Sequence, residues 1–372
     1  MEVIVSYKRI NVAVIGAGWV GGIRINACAS SPLVNELHIA EINPDRTKKI
    51  ADNCNATSFT TNWKNLIDNE SIDAIIIAST PESERFPIVR AALKAKKHVM
   101  IEKPIAPTLR EADEAIKLIE VNNLKFTIGY TRRFDPKYAF INKSLKSGRL
   151  GQPVTCLISR NITREIGNKI KGRSKMSPAA MGGTHSIDFL LWCLQPRLPV
   201  KVYSQQAGKL LNKTSETPDH QWIIVTMDDG TIFSMNISWA LPEVWPGTVY
   251  GLEIGIVGKE GVIDIEDTHR DLVLATNQRL PGGYISGGYE APERHVDFLT
   301  SYPPGDLWNG QLYGPMREET IGWFTRIMMG TPTPHATAAE GHSNLLCTMA
   351  MDLSAKRGEE IKLPIDPEEF YK

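Results

Sequence analysis

The fold is decided near the start of the chain by residues 10–22, INVAVIGAGWVGG. The apolar run Ile10–Ile15 predicts a β-strand, and Gly16-Ala17-Gly18-Trp19-Val20-Gly21 follows it with the spacing G-x-G-x-x-G. A helix is predicted over Gly21–Ser30. The first glycine permits a tight turn, the second lets the backbone approach a pyrophosphate, and the third allows the helix to pack closely on the strand. Because a helix N-terminus attracts negative charge, the segment is typical of a phosphate-binding turn.

Glu41 supplies the second part of this pattern. It lies about twenty residues beyond the glycines, at the end of a second predicted strand, Leu37–Ala40. A carboxylate at that point accepts hydrogen bonds from a ribose diol and repels a 2′-phosphate. We therefore predict that the chain binds NAD rather than NADP. The alternative is a glycine-rich turn with no ligand. Arg46 lies either near the adenine or in a solvated first helical turn.

The first 130 residues alternate short apolar runs with helical patterns. Asn43-Pro44 is typical of an N-cap followed by proline at the first helical position, and Thr108-Leu109-Arg110-Glu111 is a capping box. The strands lack polar alternation, as expected when helices cover both faces of a sheet. This order predicts a parallel, doubly wound α/β sheet. Its further strands are predicted over Ala74–Ala78, His98–Ile101 and Leu124–Tyr130.

The pattern changes after about residue 130, where strands dominate and Asp228-Asp229-Gly230 indicates a hairpin turn. We predict a Rossmann domain over residues 1–129 and a second α/β domain over 130–372, with a mostly antiparallel sheet. A C-terminal helix at about 338–356 is expected to pack back on the first domain, and another helix is predicted over Arg317–Met329. The strands of the second domain are predicted over Pro153–Arg160, Val200–Ala207, Trp222–Asp228, Thr231–Trp239 and Val249–Val257.

Composition narrows the class of protein. The 372 residues carry 42 Lys+Arg and 42 Asp+Glu, so no excess of positive charge points to nucleic acid or an anionic membrane. No apolar run approaches the length of a membrane helix, and no signal peptide is recognisable. The five cysteines lack metal-binding or disulfide spacing, and the eight histidines show no HxxxH or HExxH. We expect a cytoplasmic protein without a bound metal.

Lys103 is the first candidate for catalysis. It follows directly on the predicted strand His98–Ile101, and Pro104 stiffens the turn after it. In open α/β sheets, ligands bind beyond the carboxyl ends of the strands. A lysine at this point is placed to contact a substrate hydroxyl near a nicotinamide. The alternative is an ordinary surface lysine at a strand end.

With these segments the sequence resembles the glucose–fructose oxidoreductase / inositol dehydrogenase (Gfo/Idh/MocA) family over nearly its whole length. The resemblance implies a Rossmann domain, a second domain whose open sheet often makes the oligomer contact, and a Lys103–Pro104 peptide that is often cis. We therefore expect a homo-oligomer. The segments that carry the resemblance are VIGAGWVGG (14–22), EINPDR (41–46), AIIIASTPES (74–83), HVMIEKPIA (98–106), FTIGYTRRFDP (126–136), GGTHSIDFLLW (182–192) and SAKRGEEIKLP (354–364). The cofactor-binding residues expected from them are Gly16, Gly18, Trp19, Val20, Gly21, Glu41, Asn43, Arg46, Ser79, Thr80, Glu102 and Lys103.

The resemblance also implies that a histidine and an aspartate in the second domain join the lysine. The family pattern is D-x-x-x-H-x-x-D, and His185 and Asp188 match its last two positions. Met181 stands where the first aspartate is expected, so another group must orient His185. Asp188, one turn further on, is the nearest candidate in sequence. The alternative for His185 is a hydrogen-bonded core histidine.

Several other segments are candidates for substrate contact. Tyr130 and Arg132 or Arg133 follow a strand in the family's cleft-lining segment, with packing roles as the alternative. Residues 164–175, REIGNKIKGRSK, are predicted to form a solvated loop, or a flap that carries Arg164, Asn168 or Lys169 to a substrate. The Gly/Pro-rich stretch Arg279–Met316 is predicted to be a long ordered loop. Its Gly-Gly-Tyr repeat at 282–289 is either flexible or, with Tyr302, Trp308 and Tyr313, an aromatic wall.

The residues and the resemblance together predict an NAD-dependent oxidoreductase acting on a secondary hydroxyl of a sugar or glycoside. His185 is the predicted base, and Lys103 the donor to the developing alkoxide, although these roles are reversible. The resemblance to glycoside-oxidising members favours oxidation at C3, with NAD(H) retained and recycled. The alternatives are an inositol or free-sugar dehydrogenase, a cyclic imine or ketone reductase, and a non-catalytic NAD-sensing protein.

Overall fold

The computed structural model describes residues 8–208, 210–211, 217–242, 244–245, 250–266, 272–275, 296–299, 306–308 and 311–372. The chain divides into two compact units. The first comprises Met1–Asp135 and Pro304–His342, and the second comprises Pro136–Pro303 and Ser343–Lys372. The first unit therefore includes a segment from late in the chain, which the sequence patterns did not indicate.

The first unit is built on a six-stranded parallel sheet with the order β3-β2-β1-β4-β5-β6. This confirms the doubly wound sheet predicted from the alternation of strands and helices. The central strands are buried on both faces, as their unbroken apolar sequences require. The elements are β1 (Ile10–Ile15), α1 (Trp19–Ala29), β2 (Val34–Ala40), α2 (Pro44–Cys54), β3 (Ser58–Thr60), α3 (Lys64–Ile67), β4 (Ala74–Ile77), α4 (Phe86–Lys94), β5 (His98–Ile101), α5 (Leu109–Asn122) and β6 (Phe126–Ile128), with short 3₁₀ helices at Glu82–Glu84 and Thr131–Phe134.

Local capping explains where α2 and α5 begin. The Asn43 side chain accepts a hydrogen bond from the backbone N–H of Arg46, with Pro44 at the first helical position. The Thr108 hydroxyl oxygen likewise accepts from the N–H of Glu111 at 3.2 Å. Each cap satisfies one of the N–H groups that a helix start leaves unpaired. The two predicted helix starts are confirmed.

The second unit contains a seven-stranded sheet with the order β12-β11-β7-β10-β9-β8-β17. It is antiparallel except for the pair β7 and β10, and the predicted hairpin at Asp228–Gly230 joins β9 to β10. The elements are α6 (Pro136–Lys146), β7 (Pro153–Thr163), α7 (Arg164–Lys171), α8 (Thr184–Leu194), β8 (Pro199–Ala207), β9 (His220–Met227), β10 (Ile232–Leu241), β11 (Tyr250–Gly258), β12 (Val262–Glu266), β13 (Leu272–Ala275), β14 (Val296–Leu299) and β17 (Ile361–Lys362). A π-helix, Ala179–Gly183, precedes α8, and a 3₁₀ helix, Pro367–Tyr371, ends the chain.

The late segment of the first unit packs against its earliest helix. It contains β15 (Asp306–Trp308), β16 (Gln311–Tyr313) and α9 (Pro315–Met329). Trp323 and Phe324 of α9 belong to the same apolar cluster as Val12, Val14 and Ile25. The following helix, α10 (Ala338–Arg357), has its first residues in the first unit and the rest in the second. The predicted boundary at 129/130 and the packing of α10 back on the first domain remain predictions.

One prediction from the charge pattern is wrong. Residues 164–171 form the helix α7 and not a loop. Lys171 was counted among solvated charges, but it is buried, and its ammonium group donates to the Asp219 carboxylate and to the carbonyl of Thr217. A lysine side chain tolerates burial when it is paired and hydrogen-bonded. This anchor fixes the last turn of α7 to the segment before β9.

The stretch predicted as one long loop, Arg279–Met316, contains three short strands, β14, β15 and β16, and the start of α9. The Gly-Gly-Tyr repeat at 282–289 and Tyr302 lie outside the described residues, and so does the side chain of Trp308. Tyr313 is described and is about half exposed. The predicted aromatic wall therefore remains a prediction.

All five cysteines have free thiols. Within the described residues, no helix combines the length and apolar character needed to cross a bilayer. The outward face of the large sheet is apolar in places, with Leu157, Trp222 and Ile224 each about half exposed. The homo-oligomer expected from the resemblance remains a prediction.

Candidate cofactor and active site

Three glycines shape the turn between β1 and α1, each for a different reason. Gly16 has φ +91°, and a Cβ there would lie 2.5 Å from the backbone nitrogen of Ser79. A Cβ on Gly21 would lie 1.8 Å from the carbonyl oxygen of Gly16, so the third glycine allows the helix to close on the turn. A Cβ on Gly18 would meet no atom within 4 Å. Gly18 therefore borders open space, as a backbone that receives a pyrophosphate must.

Glu41 is buried at the end of β2, where its carboxylate holds the glycine turn. Oε2 accepts a hydrogen bond from the N–H of Ala17 at 2.8 Å, and Oε1 accepts from the N–H of Asn43 at 3.1 Å. The guanidinium of Arg46 lies 3.7 Å from Oε1 and is about half exposed. A carboxylate at the end of the second strand is the group that accepts hydrogen bonds from a ribose diol in dinucleotide-binding folds.

A cleft of about 340 Å³ opens between the ends of β1, β2 and β4. Six residues predicted from the sequence line it: Gly16, Gly18, Glu41, Arg46, Ser79 and Thr80. Six others predicted for the cofactor site do not line it: Trp19, Val20, Gly21, Asn43, Glu102 and Lys103. Sequence reasoning missed Ile42, Thr61, Trp63, Glu84, Pro87 and Ile88, which also line it. Ile42 lies within the segment EINPDR, but no motif marks the others, which come from the residues after β3, the 3₁₀ helix and the start of α4 and reach the cleft only through the fold.

The residues of this cleft fit NAD. The open space beside Gly18 lies at the N-terminus of α1, where a helix favours phosphate charge. The Ser79 hydroxyl oxygen is buried in the cleft wall and has no hydrogen-bond partner in the part of the chain that the structure describes. A buried hydroxyl without a partner is costly, and a polar ligand removes that cost. The described residues contain no cluster of His, Cys, Asp and Glu able to hold a metal ion.

Lys103 lies directly beyond β5, half-buried, and its peptide bond with Pro104 is cis, as the resemblance implied. The carboxylate of Glu102 accepts hydrogen bonds from Arg24 of α1, at 3.0 Å from Nε and 2.7 Å from Nη2. Its side chain is thus committed to a buried ion pair. The predicted contact of Glu102 with the cofactor remains a prediction. The partner that the structure gives to the Glu102 carboxylate is Arg24.

Arg24 is shared between two carboxylates. Its Nη2 donates to Glu319 of α9 at 2.6 Å as well as to Glu102, and the same Glu319 oxygen accepts from the hydroxyl of Thr131 at 3.0 Å. Burial lowers the pKa of Arg24, but the two carboxylates outweigh it and the net shift is upward. Burial and the negative charge of Glu102 raise the pKa of Glu319 to about 6, against the lowering effect of Arg24. One positive charge thus compensates two buried acids.

The raised pKa of Glu319 makes a testable contribution to stability. The folded protein holds this proton up to a pH of about 6, whereas the unfolded chain releases it near 4.5. Stability from this group is therefore fully present below pH 4.5 and is lost as pH rises to 6, by about 2 kcal/mol. Glu319→Gln should remove this loss, because Arg24 keeps Glu102 as a full counter-charge. In urea unfolding, the free energy of unfolding of the variant relative to that of wild type should therefore rise by that amount as the pH increases from 4.5 to 7.

The difference in stability between wild type and Glu319→Gln isolates the contribution of Glu319 from those of other titratable groups, which are present in both proteins. His335, whose imidazole contacts the Glu319 carbonyl oxygen at 2.8 Å, has its pKa lowered by burial to about 3, so it destabilises the fold in acid in both proteins. Thr131→Val is the complementary variant: it removes a hydroxyl donor that lowers the pKa of Glu319, so the loss of stability with rising pH should become larger than in wild type. Parallel unfolding curves for wild type and Glu319→Gln across this range would contradict the assignment.

In the second unit, His185 lies in the first turn of α8 and is half-buried. Asp188 is buried one turn further on, and Met181 is buried in the π-helix that precedes α8. Sequence reasoning missed the residue that holds the backbone next to the histidine. Asn344 accepts from the Thr184 hydroxyl at 2.7 Å and donates to the Thr184 carbonyl oxygen at 2.9 Å, with both side chains buried.

A second contact fixes the start of the π-helix. Gln221 of β9 accepts from the N–H of Ala179 at 2.7 Å and donates to Asp352 of α10 at 3.0 Å. Burial raises the pKa of Asp352, against the hydrogen bonds that it accepts from Ser177 and Gln221. These contacts fix the start of the π-helix and the backbone of Thr184, the residue before His185.

The remaining candidates divide between the two units. In the first, Tyr130 is buried directly after β6, and Arg132 lies half-buried in the following 3₁₀ helix. In the second, Arg164 begins α7 and donates from Nε to the carbonyl of Ala240 at 3.0 Å, while Asn168 is exposed on the same helix. Their contact with a substrate remains a prediction.

Comparison with known proteins agrees with this geometry. Residues 10–130 match the family model described as "Oxidoreductase family, NAD-binding Rossmann fold", and residues 138–264 match the "GFO/IDH/MocA C-terminal domain". An inositol 2-dehydrogenase of Rubrobacter xylanophilus is 25% identical over 371 residues, which is 98% of this chain and 96% of that protein.

Two solved structures share the fold. GenD2 from gentamicin A biosynthesis, in complex with NAD, has a TM-score of 0.81 at 17% identity, covering 96% of this chain and 97% of its own. Scyllo-inositol dehydrogenase from Lactobacillus casei, with bound NAD(H) and scyllo-inositol, has a TM-score of 0.75 at 16% identity, covering 95% and 99%. The resemblance read from the sequence segments is confirmed.

Proposed function

Because the chain belongs to the Gfo/Idh/MocA family of NAD-binding oxidoreductases, we propose that it oxidises a secondary hydroxyl on a cyclic polyol, sugar or glycoside. One observation carries this proposal. A single buried side chain, Arg85, donates both to the carbonyl oxygen of Ser79 in the cleft wall and to that of Lys103. The only long, flexible cation of the EKP turn therefore starts next to the cleft that fits NAD.

In this reaction a secondary alcohol and NAD⁺ give a ketone, NADH and a proton. NAD⁺, held beside Gly18 and Glu41, would supply the hydride acceptor for the carbinol carbon. The chain must then remove the hydroxyl proton and stabilise the charge that develops on its oxygen. We assign the proton to a ring nitrogen of His185 and the hydrogen bond to the oxygen to Nζ of Lys103. The two roles are reversible, because the positive charge of an oxidised nicotinamide lowers the pKa of a neighbouring lysine and so favours its action as the base.

A cyclic polyol of the inositol type is one substrate class. It is favoured by the relative from Rubrobacter xylanophilus, which aligns with 98% of this chain and is named an inositol 2-dehydrogenase. The finer alternative is oxidation of a glycoside at C3 to a 3-keto sugar, with NAD(H) retained and regenerated by a second sugar. Met181, in place of the family's first aspartate, favours this second class, because it indicates that the hydroxyl site departs from the family pattern.

A substrate panel separates these classes. Purified protein is first denatured and any released nucleotide identified by mass spectrometry. The protein is then assayed with NAD⁺ and myo-inositol, scyllo-inositol, glucose, or methyl glucosides, and both NADH absorbance and product mass are recorded. Net NADH with an inositol supports the dehydrogenase. A 3-keto glycoside without net NADH, from protein that purifies with NAD, supports the recycling enzyme.

Two rivals have their own signatures in the same experiment. NADH-dependent reduction of a cyclic imine or ketone, with no oxidation of any alcohol in the panel, would identify a reductase. Tight NAD binding with no turnover of any compound would indicate an NAD-sensing protein. Either result would contradict the proposed oxidation of a secondary hydroxyl.

A further inference from the structure

The turn after β5 contains backbone carbonyl groups that lie beyond the hydrogen-bonding pattern of the sheet. Glu102 N–H still donates to the carbonyl of Ile77 in β4, but the carbonyls of Glu102 and Lys103 lie beyond the last strand residue. Buried backbone carbonyls need a donor, and an unpaired one costs about as much as a lost hydrogen bond. The position of Lys103 therefore depends on which group supplies that donor.

Arg85 supplies it. This residue lies between the short 3₁₀ helix and α4, and it is buried, with 5% of its surface exposed. Nη1 donates to the carbonyl oxygens of Glu102 at 2.9 Å and Lys103 at 2.8 Å, and Nε donates to that of Ser79 at 2.5 Å. One rigid, planar group thus fixes three backbone oxygens at the ends of two neighbouring strands.

The charge of Arg85 is balanced locally, so the contact is not a buried, unpaired cation. The Glu82 carboxylate lies 3.7 Å from its Nη2, and both side chains are buried. A second arginine reinforces the same turn from another direction, because Arg24 of α1 holds the Glu102 side chain. The residue before Lys103 is therefore fixed through both its backbone and its side chain.

We propose that Arg85 is a positioning residue for Lys103. By tying the carbonyls of Glu102 and Lys103 to that of Ser79, its guanidinium fixes the start of the Lys103 side chain relative to the wall of the NAD cleft. The inference rests on the proposed role of Lys103 in oxidising a secondary hydroxyl. Lysine cannot replace arginine here, because an ammonium group is a single point of donation and lacks the planar fork that reaches three oxygens.

The test compares Arg85→Lys with Arg90→Lys, the same substitution on the neighbouring helix. Arg90 forms a partly exposed ion pair with Glu114, at 2.7 and 2.6 Å, and contacts neither the cleft nor the EKP turn. Amide hydrogen exchange is measured on the NAD-free proteins over residues 98–106. We expect exchange at the turn to be at least about tenfold faster in Arg85→Lys and unchanged in Arg90→Lys.

Steady-state kinetics supply the second readout. A displacement of about 1 Å at a catalytic group costs about 100-fold in rate, so kcat of Arg85→Lys should fall by about 10- to 100-fold. The KM for the alcohol should change by less than about threefold, and the Kd for NAD should rise by less than kcat falls, because the glycine turn and Glu41 are untouched and Arg85 reaches the cleft wall only at the Ser79 carbonyl. In a Lys103→Met background, Arg85→Lys should lower the residual rate by less than about twofold.

The outcomes separate this inference from the proposed function. Unchanged exchange at the turn would overturn it, and so would normal kcat despite faster exchange. Equal losses of kcat and NAD affinity, or the same fold loss with and without Lys103, would assign Arg85 to general cleft structure and would also overturn it. A wild-type protein that turns over no alcohol would refute the proposed function, while faster exchange in Arg85→Lys would still establish the anchor.

Discussion

Lys103→Met should lower kcat for alcohol oxidation by about 10²- to 10⁴-fold while leaving NAD binding within a few-fold of wild type. Methionine fills a similar volume but lacks the ammonium group that donates to the developing oxyanion. The cleft-lining residues do not include Lys103, so its loss should spare cofactor affinity. The measurement is kcat with the best alcohol of the panel, together with the Kd for NAD from quenching of tryptophan fluorescence.

Lys94→Met is the matched control, because Lys94 is exposed at the end of α4 in the same unit. It should behave as wild type in both measurements. Near-normal turnover in Lys103→Met would remove Lys103 from the mechanism, and with it the observation on which the proposed function rests. A loss of NAD binding in that variant would instead make Lys103 a cofactor-binding residue.

Gly18→Ala should weaken NAD binding by about 10- to 100-fold, equivalent to about 1–3 kcal/mol, without lowering the stability of the NAD-free protein. Gly18 has φ −68°, which alanine adopts freely, and its added Cβ would meet no protein atom within 4 Å. The methyl group therefore fits the fold but occupies the space that a pyrophosphate needs. Calorimetric titration with NAD and thermal unfolding measure the two quantities.

Two neighbouring glycines serve as controls, each with a different expected result. In Gly21→Ala the Cβ would lie 1.8 Å from the Gly16 carbonyl, so the turn must deform, and we expect a stability loss of at least about 1–3 kcal/mol. Gly22→Ala adds a methyl group to open space outside the cleft and should preserve both stability and affinity. Normal NAD affinity in Gly18→Ala would mean that the pyrophosphate does not approach this turn.

The parts predicted from the sequence are those whose signals are local. The strand before Gly16, the caps at Asn43 and Thr108 and the hairpin at Asp228–Gly230 each depend on residues a few positions apart. The three residues of β3 are too few to show a strand pattern. Helix α7 was missed because its charged residues suggest solvent, whereas Lys171 is buried against Asp219, 48 residues away.

The candidate site divides in the same way. Gly16, Gly18 and Glu41 were found because a spacing marks them, and the structure brings them to one cleft. Arg85 and Arg24 were not found, because their significance comes only from partners that are distant in sequence. Arg24 meets Glu102 across 78 residues and Glu319 across 295. A single sequence carries no local signal for such a buried arrangement of charge.

The late return of α9 to the first unit has a consequence for synthesis of the chain. A nascent polypeptide that has left the ribosome only to residue 135 contains β1 to β6 but not Trp323, Phe324 or Glu319. Its sheet would expose part of its apolar cluster, and Arg24 would lack one of its two counter-charges. The half of the protein made first is therefore completed near the end of translation, and an amino-terminal fragment expressed alone is expected to be prone to aggregation.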